Sequence, residues 1–191
     1  MSHRNRHRAA VLLAAVLAPA TVRSAVSLRL APRRAPAPPV AAPCTDAAHH
    51  QFDFFAGDWD TYDVGDTVHV TARNRVTPMV GGCALREVYE QGDGLVGESF
   101  STYDAARRVW HQSWVTNRGS LLLMDGRLEN GRMVLTGADR PVNGAASIVR
   151  VSWTPIAPAV RETCERSTDG GRTWTPVFDI IFRPHRASAG T

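Results

Sequence analysis

The chain has 191 residues with 22 basic and 18 acidic side chains, a net charge of +4 and an isoelectric point near 9.5. Every basic residue is Arg, and seven of them (Arg4, Arg6, Arg8, Arg23, Arg29, Arg33, Arg34) fall in residues 1–43, which hold no acid. From Cys44 onward 15 Arg face 18 acids, a net of −3, so the rest of the chain has no electrostatic footprint for nucleic acid.

Residues 1–8 are positive, and residues 9–20 (AAVLLAAVLAPA) form a short apolar run ending in small residues. This is the pattern of a secretory signal peptide, expected over 1–25. Ala18-Pro19-Ala20 is one cleavage candidate and Ala25 a second. The run is shorter than the roughly 20 residues a membrane span needs, so no stable membrane span is expected. Residues 26–43 are rich in Pro and Ala, which predicts an extended linker. The folded domain is expected over 44–185, with a disordered tail at 186–191. The expected location is outside the cytoplasm, secreted or periplasmic.

Three cysteines in an exported chain suggest one disulfide and one spare thiol. Three pairings are open. Cys44–Cys83 is favoured, because it pins the first residue of the domain. Residues 46–55 (DAAHHQFDFF) read as one short N-terminal helix, with Asp46 placed to cap it and Phe52 and Phe55 placed to dock it.

After residue 60 no sustained 3.6-residue apolar period occurs. Short β-rich runs recur at 57–64, 68–79, 83–91, 94–103, 108–116, 120–128, 132–138, 146–154, 159–167 and 173–183. Turn signals separate them, among them Gly92-Asp93-Gly94, Asn117-Arg118-Gly119 and Asn130-Gly131. The connections are too short for crossover helices, so the strands must run antiparallel. The expected fold class is all-β: a single up-and-down antiparallel barrel of about ten strands.

Side chains alternate faces along a strand. Leu85, Glu87 and Tyr89 therefore share one face, as do Trp110, Gln112 and Trp114, and Ser99 falls on one face of 94–103. An apolar wall with isolated polar groups is how a ligand pocket is lined. The expected ligand-binding residues are Leu85, Glu87, Tyr89, Ser99, Trp110, Gln112, Trp114 and Arg161. In 173–183, Trp174, Phe178, Ile180 and Phe182 read as the apolar face.

Motifs for catalysis are missing: no G-x-S-x-G, no G-x-x-x-x-G-K and no H-E-x-x-H occurs. No catalytic residue and no metal site is therefore expected. Asp58 and Asp60 share one face of the first strand and read as rim residues. Seven His show no ligand spacing, although His111 or His185 offers a single axial ligand for haem inside a barrel. No cofactor is expected. Ser167-Thr168-Asp169-Gly170-Gly171-Arg172-Thr173-Trp174 resembles the Asp-box hairpin of sialidases, but one copy cannot build a propeller.

The opening His49-His50-Gln51-Phe52-Asp53-Phe54-Phe55-Ala56-Gly57-Asp58-Trp59-Asp60 resembles the F-D-F-W-x-G-x-W start of a family of exported bacterial domains of unknown function. Gly82-Cys83 followed by Glu87, Trp110-x-Gln112-x-Trp114, Trp153-Thr154-Pro155 and the S-x-D-G-G-x-T-W end at Trp174 extend the likeness over about 49–183. The sequence departs from that pattern at Phe55, Thr116 and Cys164. The family is similar to lipocalin-like (calycin) barrels, which implies a ligand cavity and names no ligand. The combined expectation is an exported barrel that binds a small, largely apolar ligand as its partner. The alternatives are a small isomerase or hydrolase using a buried Glu87, and a structural barrel with no ligand.

Overall fold

The structure is a computed structural model describing residues 44–140 and 144–187. The expected leader, the linker and most of the tail lie outside those residues. Ten antiparallel strands close on themselves. They are β1 (Gly57–Asp63), β2 (Ala72–Met79), β3 (Ala84–Gln91), β4 (Val96–Asp104), β5 (Val109–Thr116), β6 (Leu121–Glu129), β7 (Arg132–Asp139), β8 (Ser147–Ile156), β9 (Ala159–Ser167) and β10 (Thr175–Pro184). Each pairs with its chain neighbours, and β1 closes on β10 with Trp59 opposite Pro184 and Thr61 opposite Phe182. This is the expected up-and-down meander.

Period-2 alternation sorts the side chains. Trp59 and Thr61, Asn74 and Val76, Leu85 and Glu87, Ser99 and Ser101, Trp110 and Gln112, Val149 and Val151, and Val160 are buried and face inward. The intervening positions carry ion pairs across the outer wall. Arg73 bridges Asp58 and Asp60, Arg86 meets Glu98, and Arg150 meets Glu165. Arg166 and Asp139 also pair, on the inner face of the open end, opposite Val149 and Ser147. Asp58 and Asp60 thus sit on the outside, as their rim reading required.

One end of the barrel is plugged by residues 44–56. The expected helix over 46–55 is absent. The chain instead makes successive turns and a three-residue 3₁₀ turn, Asp53–Phe55. The backbone bonds are all i to i+3: His49 N–H to Asp46 O, Gln51 to Ala48, Asp53 to His50 and Phe55 to Phe52. The physical reason is the spacing of the anchors. Phe52 and Phe55 lie three apart, and a 3₁₀ turn eclipses such positions, so both rings drop straight into the barrel. Asp46 does accept the Ala48 and His49 N–H groups, but it caps a turn.

Phe52 stacks on Phe55 at 5.4 Å between centroids and meets Trp110 and Trp153 edge-on at 5.7 and 5.2 Å. Phe55 leans on Phe182 at 5.3 Å. Trp59 folds back over Gly57, where a Cβ would collide with its ring, and its indole N–H donates to Phe55 O at 3.0 Å. That contact is why Gly-x-Trp opens β1. The Cys44–Cys83 disulfide, spanning 39 residues of sequence, ties the start of the plug to the barrel end between β2 and β3. This is the pairing expected for a chain end needing an anchor.

The apolar face of β10 departs from its expected parity. Register slips between Pro176 and Phe178, so Trp174 leaves the interior. Its ring lies under the Arg150 guanidinium at 4.0 Å, outside the wall. The Asp169 carboxylate accepts from the Arg172 and Thr173 N–H groups and the Thr173 hydroxyl, which makes the Asp-box a self-satisfied hairpin turn.

Phe52 is fully buried against four aromatic rings. Its replacement, Phe52→Ala, is expected to cost about 3–5 kcal/mol. Urea unfolding followed by tryptophan fluorescence measures it; a loss near zero would show that the plug does not support the barrel.

Candidate functional site

A ten-stranded barrel is wider than the eight-stranded size that side chains fill. The plug occupies one end. Above it lies a cavity of about 400 Å³ that opens between the β1–β2 and β3–β4 loops, where Asp63, Thr71, Gln91 and Leu95 line it. Deeper, its apolar wall comes from Tyr89 and Trp114 on one side and Val151, Trp153 and Ile180 on the other, with Leu122 and Met124 between. Trp114 fits because β4 presents Gly97 beside it; a Cβ there would overlap the indole ring. Tyr89 meets Trp114 edge-on at 6.2 Å.

The polar side of the cavity is built by adjacent strands. β2, β3, β4 and β5 set Val76 beside Glu87, Glu87 beside Ser99, and Ser101 beside Gln112. Asn74 Nδ2 donates to Glu87 Oε1 at 2.9 Å, and the Ser99 hydroxyl donates to Glu87 Oε2 at 2.7 Å. Behind them Gln112 Nε2 donates to both Ser99 and Ser101, at 3.2 and 3.1 Å. Glu87 is thus buried but held by two donors. Burial pushes its carboxyl above the ordinary value, and those two donors oppose the shift.

A second carboxyl faces the same cavity from β9, where Glu162 lies opposite Trp153 of β8 and Ile180 of β10. It retains some exposed surface only because the cavity is open; protein surrounds it. No described side chain donates to it within hydrogen-bond distance. The Trp153 indole N–H, nearest among the donors that act on it, is itself without a partner at that distance. Burial, and then the charge of Glu87, raise the Glu162 carboxyl well above the ordinary value. Two carboxyls in one low-dielectric space do not both ionise freely, so the pair holds a proton. Glu87 has the donors, which leaves that proton on Glu162.

The neighbours report the same field. Burial, reinforced by Glu162, pushes the Cys164 thiol up to about 12. Burial and the surrounding carboxylates raise the Tyr89 hydroxyl further still. The charged groups lining the cavity are Asp63, Glu87 and Glu162, all acidic.

Of the residues expected from sequence to form the site, Glu87, Tyr89, Gln112 and Trp114 line the cavity. Ser99 stands behind Glu87 as its hydrogen-bond donor. Leu85 and Trp110 face inward but lie lower, in the packed core; Trp110 donates to Gln51 of the plug at 3.3 Å. Arg161 is a correction. It lies on the outer face of β9, paired with Asp179, because Val160, Glu162 and Cys164 take the inner face. The two candidate axial ligands are also outside. His111 bonds Asp125 and Ser113, and His185 bonds Asp60, so neither imidazole reaches the lumen. Glu162, Trp153 and Met124 were not anticipated. The alternation Val160-x-Glu162-x-Cys164, apolar at both ends, carried the signal for Glu162.

Compared with known proteins, the chain matches no family model and no curated protein. The geometry of the cavity therefore carries the functional argument.

A carboxyl whose folded pKa is raised binds a proton that the unfolded chain releases, so it destabilises the fold as pH rises above 4.5, the ordinary value. Glu162→Gln removes that penalty. Its Tm is expected to exceed the parent's at pH 8 by a few degrees, about 1 kcal/mol, with the gap closing toward pH 4.5. Thermal melts across that range measure it, and a gap independent of pH would show that Glu162 ionises normally. Cys164, the free thiol, is expected to resist a thiol reagent until denaturant is added.

Proposed function

We propose that this chain is an exported, lipocalin-like cup that binds a small, largely apolar ligand. The observation that carries the reading is the cavity of about 400 Å³ left above the plug, apolar on most of its wall and polar along β3 and β5. Ligand sites of roughly 300–1,000 Å³ with a few convergent polar groups have this character. The Cys44–Cys83 disulfide supports an oxidising compartment, in keeping with the basic and apolar start of the sequence. The outer wall carries Arg–carboxylate pairs while the lumen is apolar, the inverse of a membrane-spanning barrel.

A second reading is favoured by the carboxyl pair. Glu87 and Glu162 sharing a proton have the means to take a proton from a bound compound and return it. An isomerase acting this way would alter its ligand; a binding protein would release it unchanged.

N-phenyl-1-naphthylamine, a neutral dye that brightens in apolar surroundings, is expected to bind one to one. Val151→Phe, which fills the cavity, is expected to weaken it by about tenfold. Fluorescence titration reads both, and native mass spectrometry of the exported protein reports any co-purifying mass. A dye that stays dark, with no bound mass, would overturn the reading.

A further inference from the structure

The lumen is one-sided in charge. The groups that titrate or carry charge around it are Asp63 of β1, Glu87 and Tyr89 of β3, and Glu162 and Cys164 of β9. The remaining lining residues, among them Gln112, Trp114, Met124, Val151, Trp153 and Ile180, include no cation. The nearby arginines are paired: Arg161 with Asp179, Arg150 with Glu165, and Arg73 with Asp58 and Asp60 on the outside, and Arg166, which shares the inner face of β9 with Cys164 toward the mouth, with Asp139. A fatty acid or other carboxylate entering this space would meet three carboxyls and no unpaired cation in the lining.

A second observation points the same way. Trp153 is 2% exposed and lines the cavity, yet its indole N–H has no hydrogen-bond partner. Opposite it on β9 stands Glu162, to which no described side chain donates within hydrogen-bond distance. A buried donor and a buried acceptor left idle side by side mark a site completed by something else. A cation beside Glu162 would draw that carboxyl into its charged form, a stronger acceptor for the indole N–H. The aromatic faces of Tyr89, Trp114 and Trp153 suit the same cation.

Resting on the binding function proposed above, we infer that the ligand is a hydrophobic amine, bound as its ammonium ion between Glu87 and Glu162 with its apolar body against Trp114, Leu122 and Val151. Entry of the ammonium expels the proton the pair holds, so binding releases a proton to solvent and strengthens as pH rises through the titration of the pair. Asp63 at the mouth adds to the attraction for the incoming cation.

Three probes with one skeleton test this: 2-(1-naphthyl)ethylamine, 2-(1-naphthyl)ethanol and 1-naphthylacetic acid, titrated calorimetrically into the full folded protein at pH 7. The amine is expected to bind about tenfold or more tighter than the alcohol, with the acid weakest. Its binding heat is expected to vary with the ionisation heat of the buffer, the signature of proton release, whereas the alcohol's is not. Glu162→Gln is expected to bring the amine to the alcohol's affinity and leave the alcohol within about twofold. Should that variant fail to fold, proton release by the parent protein decides alone. Equal binding of amine and alcohol, or tightest binding of the acid, would overturn the inference and leave the apolar pocket standing. Binding of none of the three would overturn the pocket as well.

Discussion

The width of a closed ten-stranded barrel governs this molecule. Ladder hydrogen bonds fix the strand spacing, so strand number and stagger fix the lumen, whatever the sequence holds. Eight strands give an interior that side chains fill; ten leave a surplus. The chain meets the surplus at one end with residues 44–56, where Phe52 and Phe55 complete an aromatic core with Trp110, Trp153 and Phe182. At the other end the surplus stays open. Floor and cavity are thus two consequences of one closure; residues 44–56, running directly into β1, seal the end where β1 begins, and the Cys44–Cys83 disulfide ties them there.

That closure also sorts charge. A wall one strand thick has an outer face in water and an inner face without it. Arginine–carboxylate pairs on the outside are screened and each contributes little to stability. The same charges inside would cost several kcal/mol apiece unless paired. Arg73, Arg86, Arg150 and Arg161 are paired outside, while Glu87 and Glu162 stay within. Asn74 and Ser99 offset the cost for Glu87; for Glu162 only the Trp153 indole N–H, outside hydrogen-bond distance, opposes it.

The strands were legible because turn chemistry and period-2 alternation agree along most of the chain. The disulfide was legible because a domain's first residue needs an anchor. Three features were not, for separate reasons. Phe52 and Phe55, three apart, fit a helix face as well as a 3₁₀ turn, and only the shape of the barrel mouth chooses between them. In β9 charged residues occupy both faces, so parity alone did not decide between Arg161 and Glu162. Leu85 and Trp110 share a face with Glu87 and Gln112, but parity reports the face and not the height along the barrel axis. Height depends on stagger, which closure determines. The slip between Pro176 and Phe178 that turned Trp174 outward is of the same kind: an extra residue resets alternation without leaving a mark in composition.

The two cavity carboxyls are chemically alike but differ in their surroundings, and that difference gives the site its character. Glu87 is oriented by two donors, and Gln112 steadies Ser99 from behind, so its position and charge are fixed by four strands. Glu162 has no such support, and its ionisation follows whatever stands beside it. In the empty cup it holds the proton and has a hydrogen to donate. Beside a cation it becomes a carboxylate, and Trp153 N–H stands ready to share the charge. A rigid carboxylate facing an adjustable one lets the same lumen stay closer to neutrality when empty and become complementary to an ammonium when filled. Most of the desolvation cost of the second charge is then deferred until a partner arrives to offset it.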